Sequence, residues 1–215
     1  MKNRIRKSFM SASWSFVAFV LWTVAVSRVD LRAIGPQNSS VGFATVNGFF
    51  HSLTGVHFLL YNITDWLGLV PIFVMVGFAV LGLAQWIKRR QLRNVDVSLF
   101  ILGGFYIVVA AAYLFFENVV INYRPVLIEG IFEASYPSST TLLVMCVMPT
   151  ALMQLKSRVT SGRLRCLLSA LIIAFTIFMV VIRLISGVHW LSDIVGGILL
   201  SAGLVSAYHT AVLLT

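Results

Sequence analysis

Long apolar runs alternate with short polar ones along the whole chain. Five runs reach or approach the roughly 20 apolar residues that carry a helix across about 30 Å of hydrocarbon. They span residues 11–27, 66–87, 97–120, 166–185 and 191–214. A sixth, at 140–155, is shorter and holds Pro149. The pattern predicts six transmembrane helices. Arg28, Val29, Asp30 and Leu31 follow the first run without a small-residue cleavage site, so that run is expected to be a retained span and not a signal peptide.

The connection from 28 to 65 is long. A turn-like PQNSS occupies 36–40, after which Val46, Phe49, Phe50, Leu53, Val56 and Leu60 recur at helical spacing with Asn47, His51 and Thr54 between them. This spacing predicts an amphipathic helix in the outer interface. Asn62, Thr64 and Asp65 are candidate caps for the second span. The expected fold is all-α and integral to the membrane, with six transmembrane helices and an interfacial helix between the first and second. The chain is expected to form a single membrane domain over 1–215. Residues 1–65 would supply the first span and outer amphipathic segment, and 66–215 a helical core.

Composition agrees. The 215 residues are 59% hydrophobic and 11% charged, against about 45–50% and about 25% in soluble domains. That excludes an ordinary soluble globule and a disordered chain. The net charge of +9 would suggest nucleic acid in a soluble protein, but its distribution points elsewhere. Of the 16 basic residues, twelve fall in three segments: Lys2, Arg4, Arg6, Lys7; Lys88, Arg89, Arg90, Arg93; and Lys156, Arg158, Arg163, Arg165. With six spans, all three lie on one side. The positive-inside rule then makes both termini cytoplasmic in a multi-pass protein of the plasma (cytoplasmic) membrane. The expected partner is the lipid bilayer and not nucleic acid. Cys146 and Cys166 lie in or beside apolar runs without metal-like spacing and read as packing residues. Gly103, Gly104, Gly196, Gly197 and Ser201 offer small faces for close helix approach. Pro71 and Pro149 are expected to bend their helices.

The remaining polar residues gather at the outer ends of the spans. One group, between the third and fourth spans, includes Glu117, Asn122, Arg124, Glu129, Glu133, Ser135, Ser138 and Ser139; the other holds Arg183, Ser186, His189, Ser192 and Asp193. Arg183 sits near the end of an apolar helix, where a charge costs about 2.5–3.5 kcal/mol on insertion scales. It is either paired or functional, or it snorkels to the interface. His189 and Asp193 are four residues apart at a helix start, on one face. A carboxylate there can fix the imidazole tautomer and leave the other nitrogen free to attack. Arg124 offers a planar fork for phosphate oxygens, or an ion pair with Glu129 or Glu133. Ser138, Ser139 and Thr140 open the fourth span, as caps or as part of a phosphate-holding helix N-terminus. Two arginines, a helix N-terminus and a buttressed histidine are the parts needed for histidine attack on a phosphoryl group. His51, His57 and His209 read as interfacial or capping residues.

These residues resemble the type 2 phosphatidic acid phosphatase superfamily, the membrane lipid-phosphate phosphatases. Arg183, His189 and Asp193 match that family's third motif, with Ile182 in place of its serine. Pro137 and Ser138 match the second, with Ser139 at the glycine position and Thr140 at the histidine. Arg124 and Pro125 match the first, with Glu117 at the lysine. The resemblance covers roughly 66–214 and makes 66–215 a phosphatase-like core with its site facing outward. It implies that His189 is a nucleophile forming a phosphohistidine and that Asp193 orients it. Arg124, Arg183 and the Ser138 hydroxyl or amide would hold the phosphate. No metal or other cofactor is implied. Glu117, Ser139 and Thr140 are degenerate motif positions, and Thr140 cannot act as the family's general acid. Two readings follow. One is a phosphatase acting on a lipid phosphate or polyprenyl diphosphate, with His57 a candidate substitute acid. The other is a catalytically impaired relative that binds or transports lipid phosphates or scaffolds partners.

Overall fold

The computed structural model describes residues 1–215. Helix α1 (Lys2–Val26) leads into a two-stranded ribbon, β1 (Arg32–Ala33) and β2 (Ser40–Val41), paired antiparallel. Then come α2 (Ala44–Thr54), α3 (Phe58–Leu67), α4 (Leu69–Arg89), α5 (Val97–Asn118), α6 (Ser139–Arg158), α7 (Gly162–Ile185) and α8 (Leu191–Leu213). Six helical stretches are long and apolar enough to cross a membrane: α1, α3 with α4 (Phe58–Arg89), α5, α6, α7 and α8. The protein is thus an all-α, multi-pass membrane protein.

The apolar pattern explains the packing. Helices α6 and α8 are the most buried of the six, and α8 packs along α1 and α6. Phe19, Leu102, Tyr136, Leu142, Leu204 and Tyr208 belong to one buried cluster. On α4, α5 and α7, by contrast, large apolar side chains such as Phe73, Ile107 and Ile177 are exposed. This is the surface that hydrocarbon covers, where backbone groups must be paired within each helix. On α8, a Cβ at Gly196 would stand 2.5 Å from the Tyr136 ring, and one at Gly203 would stand 3.0 Å from Phe16. Gly197 is similarly tight against Thr141, and Ser201 is buried. The small-residue expectation therefore applies on α8. It does not apply on α5, where Gly103 and Gly104 face open space. Of the two cysteines, Cys146 is buried in the core and Cys166 is exposed.

Polar ties cross the bundle. Ser8 Oγ donates to the Ser206 carbonyl (3.1 Å) and receives from Thr210 (2.9 Å), and it also contacts His209 Nδ1 at 3.1 Å. At the same end, Asp96 pairs with Arg89 (3.2 Å) and Arg158 (3.0 Å), fastening the α4–α5 connection to α6. The twelve segregated basic residues lie at this end of the helices, and the candidate site residues lie at the other.

The connection from 28 to 65 differs from the single amphipathic helix expected. It forms two helices, because Gly55 takes φ 66°, ψ −161°, a conformation closed to residues with a Cβ. Helix α3 then runs on through Gly68 into α4. Asn62, Thr64 and Asp65 therefore lie inside α3 instead of capping the second span, and the α4 N-cap, Gly68, has no side-chain cap. The Thr64 hydroxyl donates back to the Leu60 and Tyr61 carbonyls.

Candidate active site

Three local structures converge at the end of the bundle opposite the twelve segregated basic residues. The first is a hairpin between α5 and α6. Glu129 and Gly130 both have positive φ (51° and 80°), the pattern of a two-residue type I′ turn. Ile128 and Ile131 exchange backbone hydrogen bonds across it. The legs stay paired farther down, where Arg124 N–H donates to Glu133 O (3.1 Å) and Ser135 N–H to Asn122 O (2.9 Å). This pairing puts Asn122, Arg124, Glu133 and Ser135 side by side. The Trp190 indole clamps the hairpin by donating to the Tyr123 carbonyl at 2.7 Å.

The second is the loop joining α7 to α8, which carries His189. Gly187 has φ +68°, and a Cβ there would stand 1.8 Å from the Gly55 carbonyl oxygen. His57 N–H donates to Ser186 O at 2.9 Å. The α2–α3 elbow is thus pressed onto the backbone beside His189. The third is the N-terminus of α6, where the N–H groups of Ser139, Thr140 and Thr141 have no backbone acceptor.

His189 is 4% exposed. Its Nδ1 lies 3.0 Å from Ser135 Oγ, and Ser135 Oγ also donates to Asp193 Oδ2. The direct distance from His189 Nδ1 to Asp193 Oδ2 is 3.8 Å, too long for a hydrogen bond. The expected His189–Asp193 contact is therefore bridged by Ser135. Asp193, fully buried, also accepts from Trp190 N–H (2.9 Å) and Asn122 Nδ2 (3.2 Å). Asn47 on α2 holds Ser192, accepting its N–H at 3.1 Å and donating to its Oγ at 2.9 Å. With Nδ1–H donating to Ser135, the lone pair of His189 rests on Nε2, which faces Arg124 Nη1 at 3.5 Å. Burial, then the charges of Arg124 and Arg183, hold the imidazole well below the usual histidine range, and a hydrogen bond to Ser135 opposes them. His189 is neutral at physiological pH.

Arg183 is 1% exposed. It donates to Thr64 Oγ1 (3.1 Å), lies under the Tyr61 ring (4.7 Å) and stands 3.9 Å from the exposed carboxylate of Asp65. A desolvated cation–π contact is worth about 2 kcal/mol. An ion pair with an exposed partner is worth about 0–1. Helix α3 therefore holds this arginine chiefly through Tyr61 and Thr64. The Tyr61 ring is also 5.8 Å from Arg124. Arg124 Nε lies 2.9 Å from Glu133 Oε2, so the ion pair is with Glu133. Its N–H is not aligned for a hydrogen bond, so Arg124 Nε has only that charge contact, while Arg183 Nε has no hydrogen-bond partner. Buried guanidinium donors left open suit an incoming anion.

Not every expected residue faces the site. Ser138 N–H is taken by the Asp193 carbonyl (3.1 Å), and its hydroxyl accepts from Thr141 (3.1 Å). It ties α6 to α8 and lines neither of the cavities described below, whereas Ser139 and Thr140 beside it line both. His57 Nε2 donates to Thr54 O at 2.8 Å and lines neither cavity, which removes it as a substitute acid.

A polar chamber of about 600 Å3 is lined by Asp65, Glu117, Arg124, Glu133, Thr140 and Arg183 among others. A groove of about 400 Å3, mostly apolar, runs between α4, α5 and α6 past Leu69, Ile72, Met75 and Leu143. The two share Asp65, Tyr113, Ser139 and Thr140. His189 joins from one side through a narrow pocket that it shares with Glu117, Ser135 and Ser139. No group of three His, Cys, Asp or Glu side chains is gathered for a metal ion.

Ser135, Asn122, Asn47, Tyr61 and Thr64 were not singled out from the sequence for these contacts. For Ser135 and Asn122 the signal is partial, since Gly130 marks a hairpin turn, but the register at the turn (Ile128 opposite Ile131) shifts by two residues before the Tyr123–Ala134 bridge that sets them opposite each other. Tyr61 carries none.

The PAP2 superfamily model matches residues 118–214. No curated protein matches the chain by sequence. Among solved structures, the first transmembrane PAP2 type phosphatidylglycerolphosphate phosphatase from Bacillus subtilis is similar, with a TM-score of 0.60 and 14% identity. The likeness covers 93% of this chain and 94% of that one, and at this identity it is a likeness of fold.

Proposed function

The chain belongs to the PAP2 superfamily, and from that premise we propose that it is a lipid phosphatase. In this reading it dephosphorylates a lipid phosphate or polyprenyl diphosphate at the outer membrane face through a phosphohistidine. The observation that carries the reading is His189, neutral, with Nε2 facing Arg124 and buried arginine donors left open beside it. Arg124, Arg183 and the free amides at the start of α6 hold the phosphoryl oxygens. Nε2 attacks phosphorus, the bond from phosphorus to the leaving oxygen breaks, and that oxygen keeps the electron pair. Water then attacks phosphorus, the P–N bond breaks, and inorganic phosphate leaves with His189 restored.

Thr140 faces the chamber where a general acid would act, but its hydroxyl is far too weak an acid to protonate a leaving alkoxide. A lipid diphosphate avoids the problem, because its leaving group is a phosphate anion. The apolar groove opening from the chamber accommodates one chain of such a lipid. The basic residues at the opposite end of the helices support an outward-facing site by the positive-inside rule.

The test is phosphate release by purified protein from a polyprenyl diphosphate and from matched lipid monophosphates. Release from the diphosphate is expected to be at least about 10²-fold faster, the lower range of general-acid help. No release from any of them would sink the phosphatase reading. Retained lipid-phosphate binding in that case would make the protein a binding or transporting relative.

The charge around His189 sets a pH dependence. Only neutral imidazole attacks, so activity falls as pH drops through its pKa. In the free enzyme that pKa is held low by burial and by two arginines. A bound phosphate offsets the arginine charge and raises it. The acid limb of kcat/KM should therefore lie well below pH 6.5, and that of kcat at higher pH. Coincident limbs near 6.5, after allowing for the substrate's own ionisation near about pH 6, would contradict this account.

A further inference from the structure

We infer that Ser135 is a positioning residue through which Asp193 acts on His189, so that the orienting unit is the sequence His189–Ser135–Asp193 and not a direct histidine–aspartate pair. The inference rests on the phosphatase reading and deepens it. Ser135 is 2% exposed and lies between the two groups. Its oxygen is 3.0 Å from His189 Nδ1, it donates to Asp193 Oδ2, and the two outer groups are 3.8 Å apart.

The proton count allows one arrangement when Asp193 is ionised. A carboxylate only accepts, so the Ser135 hydrogen goes to Asp193. The serine oxygen then accepts from His189 Nδ1–H, and Nε2 carries the lone pair. The same serine therefore fixes the tautomer and passes the carboxylate's polarisation to the ring. As His189 becomes positively charged on attacking phosphorus, Nδ1–H donates more strongly, the serine oxygen becomes more polarised, and Asp193 stabilises that charge without taking a proton.

The location of Ser135 supports a positioning role. Its N–H is paired with Asn122 O in the hairpin, and Asn122 Nδ2 donates to the Asp193 carboxylate. Hairpin backbone and carboxylate thus fix the serine from both sides. Asp193 keeps three other ties, to Trp190 N–H, Asn122 Nδ2 and Ser192 Oγ, so the start of α8 does not depend on Ser135. Loss of the hydroxyl removes one function and leaves the local fold held.

The test is a double-mutant cycle with Ser135→Ala, Asp193→Asn and the double variant, measured as kcat, KM and the inhibition constant of inorganic phosphate. Each single change is expected to lower kcat by about 10²-fold or more, as misorienting a catalytic histidine does. KM and phosphate inhibition should stay within about threefold, because Arg124 and Arg183 are untouched. The double variant should fall no more than about threefold below the worse single, since both changes cut one relay. A double loss equal to the product of the singles would overturn the relay. So would an unchanged kcat in Ser135→Ala, or phosphate inhibition weakened in step with kcat, which would mark a structural role. Wild-type protein that releases no phosphate would instead sink the parent reading.

Discussion

His189→Ala is expected to lower phosphate release by about 10⁴-fold or more, the scale on which removing a covalent nucleophile acts. The geometry makes this variant informative, because the rest of the site does not rest on the imidazole. Asp193 remains held by Trp190 N–H and Asn122, Ser192 by Asn47, and Arg183 by Thr64 and Tyr61. Gly187 and Gly55 still lock the loop. Phosphate binding by the two arginines should survive, so inorganic phosphate should still bind while turnover disappears. Rapid acid-free quenching with labelled substrate adds a second readout: wild type should carry trapped label and the variant none. Residual turnover within tenfold of wild type would mean that His189 is not the nucleophile.

The membrane architecture was legible because it is written in long-range composition. Each span is a run that must be apolar for about 20 residues, and the basic segments mark one end of every pair. The break at Gly55 was not legible, because periodicity runs through it from Phe50 to Leu60. Only the backbone angle separates α2 from α3. The smallness of a glycine says that a close approach is allowed and not that one occurs: Gly196 and Gly203 meet aromatic rings, whereas Gly103 and Gly104 meet nothing. In the site, the spacing of Arg183, His189 and Asp193 was enough to gather these three at one end of the bundle. It could not supply Ser135, which comes from a separate hairpin 54 residues earlier. Nor could it show that Ser138, a motif residue, spends its amide on the Asp193 carbonyl. Such contacts are set by the meeting of two elements, and neither element encodes them alone.

Glu117→Lys combined with Thr140→His should raise turnover of a lipid monophosphate by about 10²–10⁴-fold, the range of general-acid help. Both positions line the polar chamber with Arg124 and Arg183, so both new side chains enter the space where phosphate would sit. Thr140 belongs to the first turn of α6, where an imidazole replaces a hydroxyl without disturbing a core contact. The lysine removes a carboxylate and adds a cation, a change of two charges, in a chamber that already holds Asp65 and Glu133. The two changes should separate kinetically. Glu117→Lys alone is expected to lower KM for any phosphate substrate, since it acts on ground-state charge. Thr140→His alone should raise kcat for the monophosphate, whose leaving alkoxide needs a proton, and leave the diphosphate little changed, since a phosphate anion departs without one. A gain in kcat of equal size on both substrates would show that Thr140 is not where leaving-group protonation is missing. The preference for a diphosphate would then need a cause elsewhere in the chamber, with Glu133 the nearest carboxylate to the arginine that meets His189.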